Sequence, residues 1–334
     1  MQQYTKANAF LSCDWGTSSF RLKIFDSANR TTLAEEITDK GCAAVFNEWR
    51  RKENGTQRET CYLLYLKETL ARLSQKTGMV LKDMDIVISG MAGSSIGVYE
   101  LPYAPLPFPV DGSVAETRWL PENGIMDNNI LLISGVATDN DLMRGEEAQL
   151  IGIAEMMDDK VAAEEQNIYL FPGTHSKHIT VTYKQILDFK TFMTGELFGL
   201  LLNHGLLSGS VAAPESSGMG TNEIAAFHSG VEKSFRAELL QNLFSVRVND
   251  MKKYYSKALN GFYLSGLMIG AELKHISNNT RAHYTICGNR KLGNLYYSAF
   301  QFLGLTEQVT LLTEEQSENA AAIGQSVILQ NIKL

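Results

Sequence analysis

The sequence predicts an α/β protein of two domains that repeat one plan. The first indication is an apolar run at residues 9–13 that turns into an alternating run at 20–24, a pattern typical of a β-hairpin. A second apolar run at 167–171 leads through another Gly-Thr turn into strand-like residues at 178–189. The two hairpins lie roughly 160 residues apart, and such a repeat favours two domains of the same design.

The length of the chain supports the same division. At 334 residues it exceeds what a single hydrophobic core usually serves, so two domains of roughly 150 residues are expected. We place the first at 1–157 and the second at 158–314, with the polar, acidic segment 158–166 as the crossing between them. A small-residue helix at 317–329, within the C-terminal stretch 315–334, is expected to pack back against the first domain.

The remaining elements are predicted from periodicity and turn residues. Leucines repeat with helical spacing at 61–73, and apolar runs at 85–90 and 130–135 are typical of buried strands. Residues 97–127 hold most of the seven prolines and predict an irregular loop. Further helices are expected at 145–156, at 262–274 and from Thr194 onward, the last with Leu197, Leu200, Leu201 and Leu202 as core residues, and a late strand is expected at 284–289.

Composition and charge exclude several classes of function. A net charge of −7 argues against a nucleic-acid partner. No apolar run approaches the roughly 18 residues that span a bilayer, and residues 1–6 lack the apolar core of a signal peptide, so we expect a cytoplasmic protein without a membrane partner. The four cysteines are widely spaced and lack a Cys-x-x-Cys pair, which predicts buried thiols rather than a zinc site or a disulfide framework.

The turn of the first hairpin combines groups suited to a magnesium-bound phosphate. Gly16 is expected to give the backbone a freedom that lets successive N–H groups point at one anion, and Thr17, Ser18 and Ser19 add hydroxyl donors. Asp14 would hold Mg²⁺ through water, because magnesium sheds its waters reluctantly. An ordinary hairpin with a polar turn explains the same residues. The Gly-x-x-x-x-Gly-Lys-Ser/Thr loop of Walker-type nucleotide sites does not occur in the sequence.

Five motifs follow one another along the chain, at residues 14–17, 89–94, 143–147, 171–177 and 193–197. Together they resemble the 2-dehydro-3-deoxygalactonokinase family, within the actin-like, hexokinase-type sugar kinases, and the likeness covers nearly the whole chain. Five motifs in the same order are far more specific than any one of them. The sequence departs from the family at His178, where relatives commonly carry Trp, and at 99–103, which only partly matches a loop ending in Ala-Pro-Tyr.

The resemblance carries implications for fold and activity. It implies two ribonuclease H-like (actin-like ATPase) domains with a cleft between them, the first on the sugar-binding side and the second on the nucleotide-binding side. It also implies ATP-dependent phosphorylation of 2-dehydro-3-deoxy-D-galactonate at its terminal 6-hydroxyl, a step of galactonate breakdown. ATP and Mg²⁺ are then the cofactors, a small sugar acid is the substrate, and a homodimer is compatible with the family.

Four carboxylates are candidates for the group that takes the proton of the attacking hydroxyl. Related sugar kinases place an acidic residue at the start of a helix facing the cleft. Glu146 fits that position best, with Asp141, Glu147 and Asp14 as alternatives. Glu146 and Glu147 point about 100° apart on a helix, so we expect only one of the two to serve as the base. An acidic residue near a helix start also has a purely structural explanation, because its charge stabilises the helix N-terminus.

The nucleotide is expected to be held by both hairpin turns and by the second domain. Lys177 would add positive charge near the transferred group, unless it is an ordinary solvated turn lysine. Adenine is expected between 288–289 and helix 262–274, where small residues either admit a flat ring or allow tight helix packing, and Glu272 is a candidate for a ribose contact. The predicted ATP- and phosphate-binding residues are Gly16, Thr17, Ser18, Gly173, Thr174, Ser176, Lys177, Gly266, Gly288 and Asn289.

A sugar acid needs a cationic receptor, and the planar fork of arginine matches a carboxylate bidentately. Arg144 is the candidate, although a surface arginine near a helix start would look the same in sequence. By resemblance, the turn after the strand at 85–90 contacts the sugar. Tyr99 and Tyr103 either line the same pocket or pack beneath the proline-rich loop. The predicted substrate-binding residues are Met91, Ala92, Gly93, Ser94, Tyr103 and Arg144.

Three other functions stay open on the sequence. A kinase of the same fold could act on a different keto-deoxy acid, an aldonic acid or an anhydrosugar, because one fold hosts many functions. A non-sugar actin-like ATPase, such as a polymer-forming protein or a chaperone, would turn over ATP without any sugar. A sugar-sensing protein without catalysis would have no need of Asp14, Lys177 and the acidic candidates.

Overall fold

A computed structural model describes residues 9–52, 55–121, 124–157, 166–214, 219–276 and 281–333. The chain divides into two compact units. One takes Met1–Ala163, Tyr183–Asp188 and Glu315–Leu334, and the other takes Glu164–Thr182 and Phe189–Glu314. The crossing predicted at 158–166 falls, apart from its last residue, outside the described residues.

Strands and helices alternate along most of the chain. In order, the strands are β1 (Ala9–Trp15), β2 (Phe20–Asp26), β3 (Thr31–Thr38), β4 (Ile86–Gly90), β5 (Phe108–Pro109), β6 (Thr117–Trp119), β7 (Ile130–Ile133), β8 (Val136–Ala137), β9 (Leu142–Met143), β10 (Asn167–Phe171), β11 (Ser176–Thr182), β12 (Gln185–Phe192), β13 (His283–Ile286) and β14 (Val309–Leu311). The helices are α1 (Cys42–Arg50), α2 (Arg58–Thr77), α3 (Glu146–Met156), α4 (Thr194–Asn203), α5 (Thr221–Arg236), α6 (Leu239–Met251), α7 (Lys257–Leu273), α8 (Arg290–Phe302) and α9 (Glu314–Lys333).

The first unit is built on a mixed sheet with the strand order β3-β2-β1-β4-β7-β6. β1 pairs antiparallel with β2 and parallel with β4, which places Asp14 beside Ser89 and Trp15 beside Gly90. β4 in turn pairs parallel with β7. The carboxyl ends of three parallel strands therefore meet at one edge of the sheet, which is where open α/β sheets bind their ligands.

A second mixed sheet repeats this strand order. Five of its strands run β12-β11-β10-β13-β14, just as β3-β2-β1-β4-β7 run in the first sheet. β10 is antiparallel to β11 and parallel to β13, and β13 is parallel to β14. The predicted α/β fold with one plan used twice is therefore confirmed, and the two predicted hairpins are the opening strands of the two sheets.

Aromatic side chains fill the core beneath the first hairpin turn. Trp15 and Phe20 flank the turn, are fully buried, and pack edge to face with ring centres 4.8 Å apart. Tyr62 and Tyr65 of α2 lie 5.2 and 5.8 Å from the Trp15 ring. Burying one such side chain is worth roughly 1.5–3 kcal/mol, so this cluster anchors both ends of the turn.

The C-terminal helix α9 packs closely against α3 in the first unit. A Cβ on Gly324 of α9 would lie 1.8 Å from the carbonyl oxygen of Ala148, so only glycine allows the two helices to approach this far. The neighbouring Gln325 is buried, and its Nε2 donates to the carbonyl of Cys13 and to the Ser89 hydroxyl, both at 2.9 Å. The last helix thus supports the ends of β1 and β4.

The hairpin turns differ in two details from the sequence-based expectations. Gly16 does not have a positive φ, and a Cβ there would make only an ordinary 3.4 Å contact with Ser19, so the expected need for unusual backbone freedom at Gly16 is wrong. In the second hairpin, Ser176 and Lys177 begin β11 instead of completing the turn. Both side chains consequently follow the alternation of a strand.

Helix α4 is more exposed than its leucines predicted. The core position expected for Leu197 and Leu200 is wrong, since these side chains are 39% and 46% exposed. The face packed against the core carries Phe198, Leu201 and Leu202, which have the i, i+3, i+4 spacing of one helical face. The exposed leucines lie on the flank of that face.

The cysteines behave as predicted. Cys13, Cys42, Cys61 and Cys287 are free and buried. Burial raises the pKa of the Cys13 and Cys287 thiols, which keeps them protonated and unreactive near neutral pH. Separately, none of the helices in the described part of the chain has the length and hydropathy needed to cross a membrane.

Candidate functional site

The turn between β1 and β2 is held by the N-terminus of α1. The carbonyls of Gly16 and Thr17 accept the N–H groups of Cys42 and Ala43, at 2.9 and 3.1 Å. The side chains of Thr17 and Ser18 are exposed. Because its carbonyls are occupied, the turn keeps a fixed shape while its hydroxyls stay open to a ligand.

Asp14 lies half-buried at the end of β1, next to the end of β4. A Cβ added to Gly90 would lie 3.3 Å from Oδ1 of Asp14. Burial raises the pKa of Asp14 above its usual value, and the positive charges of Arg21 and Lys23 offset this rise only in part. A carboxylate in such a place is stabilised by an additional cation, so the position suits a metal-bound phosphate.

Two glycines bring the start of α3 to the end of β4. Gly90 and Gly145 have φ angles of 88° and 110°, which side chains other than glycine rarely adopt. A Cβ on Gly145 would lie 3.2 Å from the Cα of Gly90. The contact places Glu146, the first residue of α3, at the same sheet edge as Asp14. Glu146 is half-buried, and its Oε2 accepts the N–H of Arg144 at 3.1 Å.

Glu147 has a different environment from its neighbour. It is buried, and its two carboxylate oxygens lie 2.9 and 2.7 Å from the N–H of Gly145. Burial raises the pKa of Glu147 to about 8, and the charge of Glu146 adds to the rise. Glu147 is therefore mostly protonated at neutral pH and enclosed, whereas Glu146 is the more accessible of the two.

We expect Glu147→Gln to stabilise the protein increasingly as pH rises. A carboxyl whose folded pKa is raised lowers the free energy of unfolding as pH climbs from its ordinary value of 4.5 to about 8. Each pKa unit corresponds to about 1.4 kcal/mol. A neutral amide avoids this loss and still accepts the N–H of Gly145. The Tm difference between variant and wild type, measured from about pH 5 to about pH 8, should widen in favour of the variant.

The control for this prediction is Glu68→Gln, because Glu68 is an exposed glutamate on α2 of the same unit. The Tm difference of Glu147→Gln should widen with pH by more than that of this control. A constant difference for Glu147→Gln, or an equal widening in the control, would contradict the raised pKa of Glu147.

Arg144 is held against the loop that follows β4. Its guanidinium donates to the Ser134 hydroxyl at 3.2 Å and to the Leu101 carbonyl at 3.0 Å, and it lies 4.0 Å from the centre of the Tyr103 ring. A Cβ on Gly93 would lie 2.9 Å from Nη1. The structure thus brings together three predicted substrate-binding residues. Each terminal nitrogen of the guanidinium carries a second hydrogen, which is the group that a substrate carboxylate would accept. The role of Arg144 as a carboxylate receptor stays a prediction.

The predicted substrate turn after β4 is compact. Met91–Gly93 form one turn of 3₁₀ helix, and the Ser94 hydroxyl donates to the Met91 carbonyl at 2.7 Å. Ala92, Gly93 and Ser94 are buried, and Met91 is half-buried. The Ser94 hydroxyl is therefore engaged inside the turn, and its contact with a sugar stays a prediction.

Asp141, the second candidate base, lies in the loop that joins β8 to β9. Its Oδ1 accepts the N–H of Leu142 at 2.7 Å, and its carbonyl accepts the N–H of Thr138 at 2.9 Å. The residue therefore closes its own loop, and its carboxylate is engaged with the backbone there.

The turn between β10 and β11 leaves open space at Gly173. A Cβ on Gly173 would meet no atom within 4 Å, and the adjacent Thr174 is exposed. The start of α4 closes the other side, where the N–H of Glu196 donates to the Thr174 carbonyl at 3.0 Å and a Cβ on Gly195 would lie 2.4 Å from the Gly173 carbonyl oxygen. His175 Nε2 and Glu196 Oε2 are 2.5 Å apart. As in the first turn, a helix start holds a carbonyl and the opposite side stays open.

Ser176 and Lys177 lie behind this turn and are buried. The Ser176 hydroxyl accepts the N–H of Gly173 at 3.3 Å and lies 2.9 Å from the hydroxyl of Tyr296. Lys177 donates from Nζ to the Thr191 hydroxyl at 2.5 Å. Neither side chain is at the tip of the turn, so their phosphate contacts stay predictions that this arrangement does not support.

Gly288 brings the end of β13 to the second turn. A Cβ on Gly288 would lie 3.3 Å from Cδ of Pro172, and the next residue, Asn289, caps helix α8 with its side-chain oxygen. Gly266 has a different setting, because a Cβ there would lie 2.0 Å from the Phe227 carbonyl oxygen of α5. Helix packing thus explains Gly266, and its contact with nucleotide stays a prediction.

Glu272 of α7 is not available to a ribose, so that expectation is wrong. Its side chain is 1% exposed. It accepts hydrogen bonds from His178 Nε2 and the Tyr296 hydroxyl, both at 2.7 Å, and from the Thr194 hydroxyl. Sequence reasoning missed Tyr296 because its partners are 24 and 120 positions away. The available signal was a glutamate near the end of a helix whose residues are mostly apolar.

A family model described as 2-keto-3-deoxy-galactonokinase matches residues 14–324, from Asp14 to the middle of α9. The chain belongs to the 2-keto-3-deoxy-galactonokinase family. All five motifs that carry the resemblance fall within the matched residues. Membership in the 2-keto-3-deoxy-galactonokinase family assigns no role to individual residues, so the candidate site residues stay predictions.

Two members of this family can be compared over most of their length. A Rhizobium meliloti (strain 1021) protein, named as a probable 2-dehydro-3-deoxygalactonokinase, is 30% identical over 309 residues, which cover 90% of this chain and 92% of that protein. The 2-dehydro-3-deoxygalactonokinase of Escherichia coli (strain K12) is 33% identical over 226 residues, or 66% of this chain and 71% of that protein.

A solved structure confirms the fold class of this 2-keto-3-deoxy-galactonokinase family member. The crystal structure of a Sinorhizobium meliloti protein, assigned in its description as a 2-dehydro-3-deoxygalactonokinase, superimposes with a TM-score of 0.77 at 27% identity. The superposition covers 97% of this chain and 96% of that one. The predicted family and the predicted α/β fold are both confirmed.

Proposed function

We propose that this protein transfers the γ-phosphoryl group of ATP to the terminal 6-hydroxyl of 2-dehydro-3-deoxy-D-galactonate, a step of galactonate breakdown. The observation that carries the proposal is the family match over residues 14–324. The names of the two relatives support the same activity. Kinases for other sugars and non-sugar ATPases of the same fold are not favoured, because the relatives are named for this sugar acid.

In the proposed reaction Glu146 orients the sugar hydroxyl and accepts its proton late. Phosphoryl transfer requires alignment and charge neutralisation more than covalent chemistry from the protein. Glu146 supports this role because it is half-buried at the start of α3, at the same sheet edge as Asp14. Glu147 is buried and accepts a backbone N–H, so its part is to hold the helix start.

Asp14 is the residue that would hold Mg²⁺, which neutralises phosphate charge when bound. Among the described residues no group of three or more His, Cys, Asp or Glu side chains could form a closed metal site. One desolvated carboxylate nevertheless fits magnesium, since this ion keeps several waters and usually binds one or two carboxylates together with substrate phosphates. Burial raises the pKa of Asp14, and a bound cation would favour its charged form.

The remaining assignments follow the two units. We assign sugar binding to the first, with Arg144 as the receptor for the substrate carboxylate, and nucleotide binding to the second. The phosphates are assigned to the two turns, at Thr17 and Ser18 and at Gly173 and Thr174. These four residues have exposed or open positions, whereas their backbone is fixed by helix starts.

The proposed activity is tested by ADP release from ATP and Mg²⁺ with a panel of sugar acids and neutral sugars, against a control without sugar. We expect turnover that depends on 2-dehydro-3-deoxygalactonate. Turnover with a different sugar alone would refute the substrate assignment. ATP turnover that no sugar stimulates would contradict the assignment of this protein as a sugar kinase.

We expect Gly173→Ala to weaken ATP binding without weakening the fold. The added methyl group meets no protein atom within 4 Å, and Gly173 lacks a positive φ, so stability should change by less than about 1 kcal/mol. If the phosphates approach this turn, the methyl occupies their space and should raise the KM for ATP about tenfold or more. Steady-state kinetics and Tm measure the two effects.

The matched control is Gly199→Ala, because Gly199 of α4 is equally open. Alanine is the better helix former by about 1 kcal/mol, so this variant should be slightly more stable with unchanged kinetics. An unchanged KM for ATP in Gly173→Ala would show that the phosphates do not approach this turn.

A further inference from the structure

A buried hydrogen-bond network lies behind the second turn. Its centre is Glu272, the next-to-last residue of α7, whose side chain is 1% exposed. Two groups approach its Oε2, the hydroxyls of Tyr296 and Thr194, and His178 approaches its Oε1. A buried carboxylate is tolerated only where it is hydrogen-bonded or paired, and here all of the partners come from elements that border the turn.

The network has one direction of donation, and it ends at the backbone of the turn. The Tyr296 hydroxyl donates to Oε2 of Glu272, at 2.7 Å. The single hydrogen of Tyr296 is then used, so the Ser176 hydroxyl must donate to Tyr296, at 2.9 Å. The free lone pair of Ser176 in turn accepts the N–H of Gly173, at 3.3 Å. The acceptor oxygen Oε2 of Glu272 therefore fixes the orientation of every group as far as Gly173.

The same carboxylate also holds the other side of the turn. Thr194, which donates to Glu272, is the first residue of α4. The next residue, Gly195, is in close contact with the Gly173 carbonyl, and the N–H of Glu196 donates to the Thr174 carbonyl. Glu272 is thus connected to the turn twice, once through β11 and once through α4.

We infer that Glu272 is a positioning residue that sets the turn at Gly173 and Thr174 for the phosphates of the nucleotide. The inference rests on the proposed function, since it takes this turn as a phosphate site. Glu272 itself is too deeply buried to touch a ligand. Its effect reaches the nucleotide through Tyr296 and Ser176 on one side and Thr194 on the other.

The decisive variant is Tyr296→Phe, which removes one hydroxyl from the network and keeps the ring. Tyr263→Phe is the matched control, because Tyr263 is another buried tyrosine of the second unit and its hydroxyl lies 2.7 Å from that of Ser245. Tyr263 also precedes Glu272 by nine positions on α7, which is about 13 Å along the helix axis. Two readouts are measured: the KM and kcat for MgATP, and the rise in Tm caused by MgADP.

We expect both variants to lower the Tm of the ligand-free protein. Only Tyr296→Phe should raise the KM for MgATP, by between about tenfold and about a hundredfold, since small displacements of positioning groups have effects of this size. It should also reduce the MgADP shift. Glu272→Gln should retain most of the affinity, because its amide oxygen can still accept from Tyr296 while its nitrogen faces His178. The His178 Nδ1, which has no partner among the described residues, can then carry the ring proton.

Equal nucleotide affinity in Tyr296→Phe, Tyr263→Phe and the wild type would overturn the inference, and so would an equal loss in both variants. If Tyr296→Phe does not fold, Thr194→Val removes another donor at constant shape and is judged by the same readouts. A wild type that binds MgADP but phosphorylates no sugar acid would refute the proposed function alone, and the MgADP shifts would still decide the inference. A wild type with no MgADP shift would overturn both.

Discussion

Glu146→Gln is expected to lower kcat by about 10²–10⁴-fold, the usual contribution of a positioned acid–base group. Glutamine keeps the shape of the side chain and can still accept the N–H of Arg144, the bond that Glu146 makes at 3.1 Å. The fold and both KM values should therefore change little, within about threefold. A loss confined to kcat would assign Glu146 to the transition state rather than to substrate binding.

The comparison variant is Asp141→Asn, because Asp141 is the rival base. Its carboxylate accepts the N–H of Leu142, and an amide oxygen can do the same. This variant should keep near-normal turnover. The reverse pattern, with Asp141→Asn inactive and Glu146→Gln active, would transfer the role to Asp141, and full activity in both would exclude both residues.

Asp14→Asn is expected to abolish most turnover and, at the same time, to stabilise the ligand-free protein. The loss should exceed about 10²-fold, because a metal-bound phosphoryl group gains several kcal/mol of charge stabilisation. The gain in stability follows from the raised pKa of Asp14: its charged form is disfavoured in the folded state, so a neutral isostere removes that penalty at neutral pH. Turnover over a Mg²⁺ titration and the Tm without nucleotide measure the two effects.

Asp26→Asn on the same hairpin is the control, because the pKa of Asp26 is shifted in the opposite direction to that of Asp14. Hydrogen bonds from Asn29 and Ala28 hold the pKa of Asp26 below its usual value, so its charge stabilises the fold above pH 3.8. Its amide variant should lower Tm and leave turnover unchanged. A fall in Tm for Asp14→Asn, or preserved turnover, would contradict the account of Asp14.

Local patterns in the sequence were sufficient for strands that either alternate apolar and polar residues or form continuous apolar runs. The alternation of β2 and the apolar runs of β1 and β10 predicted the two hairpins, and their repetition predicted two sheets of one design. Strand β3 was not predicted, because Thr31–Thr38 lies at the sheet edge with every residue at least partly exposed, and Glu35 and Glu36 obscure its alternation. Edge strands of this kind are specified by pairing with a neighbour more than by their own sequence.

The candidate site was predictable where it depends on strand ends and not where it depends on distant contacts. Asp14 was predicted from the turn of the first hairpin and Glu146 from the resemblance to related sugar kinases, and the structure places both at the carboxyl edge of the first sheet. The burial of Lys177 could not be predicted in this way, because it depends on β11 starting at Ser176. The network around Glu272 joins residues from β11, α4, α7 and α8, and no spacing in the sequence indicates that these elements meet there.

The most direct test of the central claim is the position of the new phosphate on 2-dehydro-3-deoxygalactonate after reaction with ATP and Mg²⁺, read by proton-coupled phosphorus NMR of the product. A phosphate on the terminal 6-hydroxyl couples to the two protons of its carbon and gives a triplet, and this is the result we expect. A doublet would place the phosphate on a secondary hydroxyl and contradict the assigned reaction. A signal from inorganic phosphate alone would show that the protein hydrolyses ATP without transferring its phosphoryl group to the sugar acid.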